Sequence, residues 1–194
     1  MLKGILKQMD CIRDYIEKNY SENRKKHTYA VYETAIELAR HYGGDEEKAG
    51  LAALFHDMFR GVSENSLNYY IKHLEMDDKY YNNANLAHGK IAAVIMERDY
   101  GITDEDVLNA VRYHTTGRAG MSVLEKIIYL ADAIEPGREY PGVDELRASA
   151  YKNLDEACIL SMEMTIEFVR KKGYLLDDDT VTGRDYLIGG RNEQ

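Results

Sequence analysis

Apolar residues in this chain recur three and four positions apart almost from end to end, and no stretch alternates apolar with polar long enough to make a strand. That one periodicity constrains the fold more than any other feature. A sheet needs alternation to bury one face, whereas a helix with an apolar stripe must bury it against other helices. The chain is therefore expected to be all-α, a helical bundle. Proline offers few breaks, because the only two, Pro136 and Pro141, stand close together. Glycines and capping residues must set the other ends. A first helix is predicted over residues 2–20, with Leu2, Ile5, Leu6, Met9, Ile12 and Ile16 on one stripe. A second spans roughly 22–42 and stops at Gly43-Gly44. Asp45 caps a third that reaches His56-Asp57, with a break expected after Phe59 at Arg60-Gly61, and Ser63 caps a fourth. DDKYYNNAN, residues 77–85, reads as a loop with at most a helical turn, and Asn85 as the cap of a fifth helix running to about Tyr100. Thr103 with Asp106 opens a sixth, and Ser122 with Glu125 forms a capping box for a seventh, to about Ala133. TTGRAGM and EPGREYPG are loops. Residues 144–172 make one long helix or two shorter ones ending at Gly173; beyond them one short helix is expected before a fraying GGRNEQ end.

A chain of 194 residues with 44% hydrophobic and 30% charged residues suits one folded domain, residues 1–194, and no repeat, low-complexity tract or linker divides it. Its catalytic core is placed at about 22–140, with C-terminal helices over 144–188 packed on it. Cys11 and Cys158 have no metal-binding spacing and fit a reducing compartment. The N-terminus lacks a cleavable apolar core and the longest apolar runs fall far short of a membrane span. A cytoplasmic protein with no membrane partner is expected. The net charge of −9 argues against a general nucleic-acid binder. A polyanionic ligand would have to be attracted locally, by metal ions or a few placed arginines.

The chemistry concentrates in "LAALFHDMFRG", residues 51–61, where the most apolar helix runs into His56 and Asp57. Four of the six histidines and two aspartates fall on inner, apolar stripes. His27 precedes Val31 by one turn; His88 shares a face with Ile91, Ala92 and Ile95; His114 follows Val107, Ala110 and Val111; Asp132 follows Ile128. His41 and His73 sit in polar company near helix ends and read as surface residues. One inward histidine is usually a hydrogen-bonded core residue, but an unpaired buried carboxylate is very costly. Six such groups on five helices call for a cation that receives them together. Neighbouring side chains on a helix diverge by about 100°, so His56 and Asp57 reach one site only if it lies over the helix end.

In their order and spacing, His27, His56-Asp57 and Asp132 resemble the HD-domain metal-dependent phosphohydrolases, and the inserted His88 and His114 resemble the dinuclear subgroup. "HTTGR" at 114–118, "EKIIYLADAIEPGR" at 125–138 and "LRASA" at 146–150 are similar to the YqeK family of bacterial symmetrical dinucleoside tetraphosphatases, over roughly residues 10–187. The resemblance implies a buried dinuclear site, with one ion on His27, His56, Asp57 and Asp132, and a second on Asp57 as a bridge with His88 and His114. The residues alone leave that division open. Nitrogen and carboxylate donors without thiolate accommodate iron, manganese or zinc, and the family favours iron. Where many HD proteins carry a lysine three residues after the aspartate, this chain has Arg60.

The expected reaction is cleavage of diadenosine tetraphosphate to two ADP, with hydroxide generated between two ions attacking phosphorus in line. Asp57 and Arg60 are the expected catalytic residues. Thr115, Thr116, Gly117, Arg118 and Arg138, in loops flanking the seventh helix, are expected to hold substrate phosphates. The partner is thus a small nucleotide; a homodimer is left open. Two rival readings are another HD nucleotide hydrolase, acting on deoxynucleotide monophosphates or guanosine tetraphosphate, and a metal- and nucleotide-binding sensor without turnover. Tyr69, Tyr70, Tyr80 and Tyr81 could stack on a base, but half-exposed helix-face tyrosines need no such role.

Overall fold

In the computed structural model, which describes residues 2–191, ten α-helices and one 3-10 turn carry the chain, and no strand occurs among the described residues. The order is α1 Leu2–Asn19, α2 Glu22–Tyr42, α3 Glu46–Phe55, α4 Glu64–His73, the 3-10 turn Asp78–Tyr80, α5 Ala84–Tyr100, α6 Glu105–Arg112, α7 Val123–Ile134, α8 Val143–Ala150, α9 Leu154–Lys172 and α10 Asp178–Arg191. The all-α expectation holds. No helix among the described residues is long and apolar enough to cross a membrane.

The centre is α3, where every residue from Ala49 to Phe55 is buried. A helix apolar on all sides must be covered on all sides, and α1, α2, α6 and α7 pack around it. Each Leu or Phe fully removed from water there contributes about 1.5–3 kcal/mol before entropy is counted. Gly50 makes this packing possible: a methyl group there would approach the Tyr32 ring to 2.7 Å. The C-terminal end of α3, the site of His56-Asp57, is thereby fixed deep between neighbours.

Several ends follow the expected chemistry. Asp45 accepts from the backbone N–H groups of Glu47 and Lys48, and Ser122 and Glu125 form the reciprocal capping box of α7. Gly43 and Gly173 close α2 and α9 in the left-handed region, each at φ 67°. Residues 144–172 divide into two helices, with Asn153 capping α9. His41 and His73 are exposed.

Other boundaries move. Asn83, not Asn85, caps α5, because its carbonyl already accepts from Leu86 and Ala87 N–H. Asp104, not Thr103, caps α6: its carboxylate takes the N–H groups of Asp106 and Val107, while the Asp106 side chain accepts from the Ser122 hydroxyl at 2.5 Å. The helix before Arg60 stops earlier than expected, at Phe55. From there i→i−3 bonds (Met58 to Phe55, Arg60 to Asp57) tighten the chain through to Gly61 at φ 76°. The final helix is not short: α10 runs 14 residues, through Gly189 and Gly190. Of the end expected to fray, residues 192–194 lie outside the described residues.

Candidate metal centre

Five structural neighbourhoods deliver six side chains to one point. His27 comes from α2, His56 and Asp57 from the tight turns after α3, His88 from α5, His114 from the turn after α6, and Asp132 from the last turns of α7. His56, His88 and His114 are buried, at 0%, 1% and 2% exposure, and Asp57 is 8% exposed. The tightening after Phe55 lets two successive residues face the same place. His56 Nε2 and Asp57 Oδ2 stand 3.7 Å apart, although an unbroken helix would splay them.

Asp57 divides its two oxygens. Oδ2 lies 3.7 Å from both His27 Nε2 and His56 Nε2, whereas Oδ1 lies 3.1 Å from His88 Nε2 and 3.9 Å from His114 Nε2. Two groups with metal-ligand geometry result, His27–His56–Asp57 and Asp57–His88–His114, sharing this carboxylate. Asp132 Oδ1 joins the first, 3.2 Å from His27 Nε2 and 4.0 Å from His56 Nε2.

The tautomers show that these residues fit a cation. Carbonyl oxygens only accept, so the Nδ1 atoms of His56, His88 and His114 must donate to Ala53 at 2.6 Å, Ala84 at 3.0 Å and Val111 at 2.7 Å. In its neutral form each ring then presents a bare Nε2 to the centre. His88 Nε2 and His114 Nε2 face each other at 3.0 Å, two lone pairs that need a cation or proton between them. His56 Nε2 is buried without a hydrogen-bond partner. His27 is oriented alike, its Nδ1 on Glu135 Oε1 at 3.2 Å. Such backing of a histidine by a carboxylate or carbonyl is the usual support of a metal ligand.

Electrostatics point the same way. Burial would protonate Asp57, but His56, His88 and His114 outweigh it and hold the carboxyl well below its ordinary range. Asp132 behaves alike, with His27, His56 and Arg138 opposing burial. Burial lowers His56 and, joined by the neighbouring His88 and His56, pushes His114 down to about 3. Burial also opposes charge on His27, yet Asp132 outweighs it and raises that group. Carboxylates kept ionised beside His56 and His114, whose charged forms burial disfavours, form a donor set suited to a divalent cation.

The pocket at the cluster, about 330 Å3, is lined by His27, Asp57, His88, His114 and Asp132 together with Arg60, Thr115 and Arg138. Arg138 Nε donates to the Asp132 carbonyl at 2.8 Å and its Nη2 pairs with the Asp132 carboxylate. The Thr115 hydroxyl lies 3.2 Å from His114 Nε2. Thr116 is buried and donates to the Gly117 carbonyl at 2.9 Å; Gly117, at φ 64°, turns the loop. Arg118 is not brought to this pocket. Its guanidinium makes a bidentate pair with buried Glu125, at 2.7 and 2.6 Å.

Three contributors escaped sequence reasoning. Glu135 backs His27 and also accepts from Gly137 N–H at 2.5 Å. Arg24 donates to the Asp57 carbonyl and lies over the Tyr20 ring, so α2 clamps the HD turn. Gly89 lets α5 approach His114. The first two lie three residues from a candidate ligand on the same helical face, Glu135 after Asp132 and Arg24 before His27, and that spacing is the signal that could have found them.

A family model described as "HD domain" matches residues 24–137. The protein named bis(5'-nucleosyl)-tetraphosphatase, symmetrical, from Bacillus subtilis is 40% identical over 176 residues, covering 90% of this chain and 95% of its own length. Its namesake from Halalkalibacterium halodurans is 42% identical over 89% of this chain and 93% of its own. The crystal structure of a predicted HD superfamily hydrolase involved in NAD metabolism from Clostridium acetobutylicum superposes with a TM-score of 0.88 at 44% identity, covering 93% of this chain and 96% of that one. With its histidine–aspartate cluster inside the matched span, this chain belongs to the HD-domain family and, within it, to the family of the symmetrical bis(5'-nucleosyl)-tetraphosphatases.

Proposed function

We propose that this chain hydrolyses diadenosine tetraphosphate symmetrically, to two ADP, at a centre of two metal ions. The observation that carries the reading is the division of Asp57: one oxygen faces His27 and His56, the other His88 and His114. His27, His56, Asp132 and Asp57 Oδ2 would hold one ion, and Asp57 Oδ1, His88 and His114 the other. Iron is the first expectation, and the donor set also accommodates manganese or zinc. When bound, such ions supply Lewis acidity for activating water and neutralising phosphate charge.

This chain's own residues do the rest. Ala53, Ala84, Val111 and Glu135 hold the four imidazoles through Nδ1, so that each Nε2 is turned to the centre before any ligand arrives. Arg138, anchored through Nε on the Asp132 backbone, and Arg60 at the rim place two cations for phosphate oxygens. Thr115 adds a hydroxyl at the wall. Arg118, tied to Glu125, braces the loop that carries Thr115 and Thr116. Residues 22–140 are read as the catalytic core, with the helices over 144–188 completing one working domain; apolar residues from both spans share one buried cluster.

The test is purification without added metal, elemental analysis, and a hydrolysis panel run in oxygen-18 water. Two ions per chain and two ADP, one carrying the label, are expected. ATP plus AMP as first products would refute symmetrical cleavage. Preference for deoxynucleotide monophosphates or guanosine tetraphosphate would move the chain to another HD hydrolase, and no turnover of any nucleotide would favour the sensor.

A further inference from the structure

The segment "LRASA", residues 146–150, lies on α8 and outside the centre, yet its arginine reaches the turn behind that centre. The turn begins where α7 ends. The last carbonyls of any helix lack intrahelical partners, and a glycine in the left-handed region often lets the following chain fold back onto them. α7 ends otherwise. Pro136 disfavours helical backbone in the residue before it, and Glu135 leaves the helical region at φ −49° and ψ 152°. Arg147 supplies donors from α8. Its Nε donates to the Ile134 carbonyl at 3.0 Å, and its Nη2 to the carbonyls of Glu135 at 3.0 Å and Arg138 at 2.7 Å. Nη1 pairs with Asp144 at 2.8 Å, which orients the guanidinium from the other side.

The three carbonyls frame a turn that carries two groups of the candidate centre. Glu135 is buried and holds its carboxylate 3.2 Å from His27 Nδ1. Arg138 takes the Asp132 carbonyl through Nε at 2.8 Å and pairs with the Asp132 carboxylate through Nη2. The Arg138 N–H donates to the Glu135 carbonyl at 2.9 Å and closes the turn from inside. Arg147 closes it from outside. With three oxygens gathered on one guanidinium, the turn cannot shift Glu135 or Arg138 without breaking a bond to α8. A planar fork with fixed donor directions suits this task, whereas a lysine ammonium is a point charge on a flexible stem. The residues served, His27 and Asp132, both belong to the first of the two ligand groups.

We infer that Arg147 is a positioning residue for the reaction: its guanidinium fixes the turn 135–138, and through Glu135 and Arg138 it sets His27 and Asp132 for the first ion and Arg138 for a substrate phosphate. The inference rests on the two-ion reading and adds to it a residue that touches neither metal nor substrate. Manganese is titrated by calorimetry into chelator-stripped protein, the two binding events being told apart by His27→Ala and His114→Ala. Arg147→Ala should weaken the event belonging to His27 and Asp132 about tenfold or more, the lower end of what a lost ligand support costs. It should leave the event belonging to His88 and His114 unchanged and raise KM for the dinucleotide. Arg147→Lys keeps the stem packed and the charge at the end of α7, and it should show the same selective loss, because the fork and not the charge sets the turn. Adding Arg147→Ala to Glu135→Gln should cost less than the product of the two separate losses, since both act on His27 through one carboxylate. Equal weakening of both events would reduce Arg147 to a general support of the fold and overturn the inference. So would full rescue by lysine, or independent losses in the double variant. One ion per wild-type chain would refute the two-ion reading, and the coupling between Arg147 and Glu135 would then decide the inference by itself.

Discussion

Gly89 is the residue on which the second half of the candidate centre depends, although it contributes no side chain. It follows His88 on α5, where that helix meets the turn carrying His114. A methyl group at position 89 would lie 2.8 Å from His114 Cε1, from His114 Nδ1 and from the Val111 carbonyl oxygen, 0.6 Å short of the 3.4 Å at which ordinary contact begins. The carbonyl is α6 backbone and cannot yield as a side-chain tip would. The ring is tied to the same carbonyl by the 2.7 Å Nδ1 bond. In Gly89→Ala, then, either α5 and α6 separate or His114 leaves its place, and metal–ligand distances tolerate only about 0.2 Å. Disturbing the support of a metal ligand costs about 10–100-fold in affinity, or roughly 1.4–2.7 kcal/mol. Overpacking adds about 1–3 kcal/mol of lost stability. Metal titration into chelator-stripped protein should show one binding event weakened by that factor and the event belonging to His27 and His56 retained. Gly4→Ala is the control, because a methyl group at position 4 meets nothing within 4 Å. Two ions bound by Gly89→Ala with wild-type affinity would refute both the steric argument and the assignment of His114.

Asp57→Ala should empty both sites, since each group of ligands shares that carboxylate; elemental analysis of desalted protein checks it, and retention of either ion would break the bridging assignment. Glu135→Gln keeps the shape behind His27 and removes its charge, so affinity at the first ion should fall about 10–100-fold, with the second unaffected in the same titration. Arg138→Ala should lower kcat/KM for the dinucleotide by roughly 10–150-fold, the worth of a charged hydrogen bond of about 1.5–3 kcal/mol; wild-type kinetics would remove Arg138 from the phosphate site. Arg118→Ala should instead leave KM unchanged and cost about 1–3 kcal/mol of stability, because the buried Glu125 carboxylate loses its bidentate partner. A raised KM with an unchanged melting temperature would return Arg118 to the substrate.

The helices most legible in the sequence are those whose burial their own residues dictate. The run Ala49–Phe55 has no polar face, so it could only be central, and Asp45 and Ser122 satisfy N–H groups that every helix start leaves open. The last helix was underestimated for the converse reason. Its residues include Gly183, Gly189, Gly190 and three β-branched residues in a row, Thr180–Thr182, all weak helix formers. Tertiary packing supplies what propensity lacks. At Gly183 the helix comes so near the Arg118 backbone that a methyl group would sit 3.0 Å from that residue's carbonyl carbon and oxygen. The glycine that weakens the helix locally is what lets it dock.

The same distinction governs the site. Six ligand-type residues stand out in the sequence because a histidine or aspartate on an apolar stripe is expensive, and an expense repeated on five helices needs one common cause. How Asp57 shares its oxygens leaves no trace in spacing, because it depends on a side-chain rotation within turns tightened after Phe55. Arg118 shows the limit most sharply. A basic residue beside Gly117, in a loop next to His114, suits a phosphate. Glu125, seven residues on, reads only as the far half of a capping box, and it does accept the Ser122 N–H at 3.2 Å. Yet the same carboxylate is 3% exposed, and one backbone donor cannot offset a buried charge. It needs a guanidinium as well, and Arg118 supplies it through two bonds. The destination of Arg118 was therefore set by the burial of Glu125, a property of how α7 packs and not of the loop in which the arginine lies.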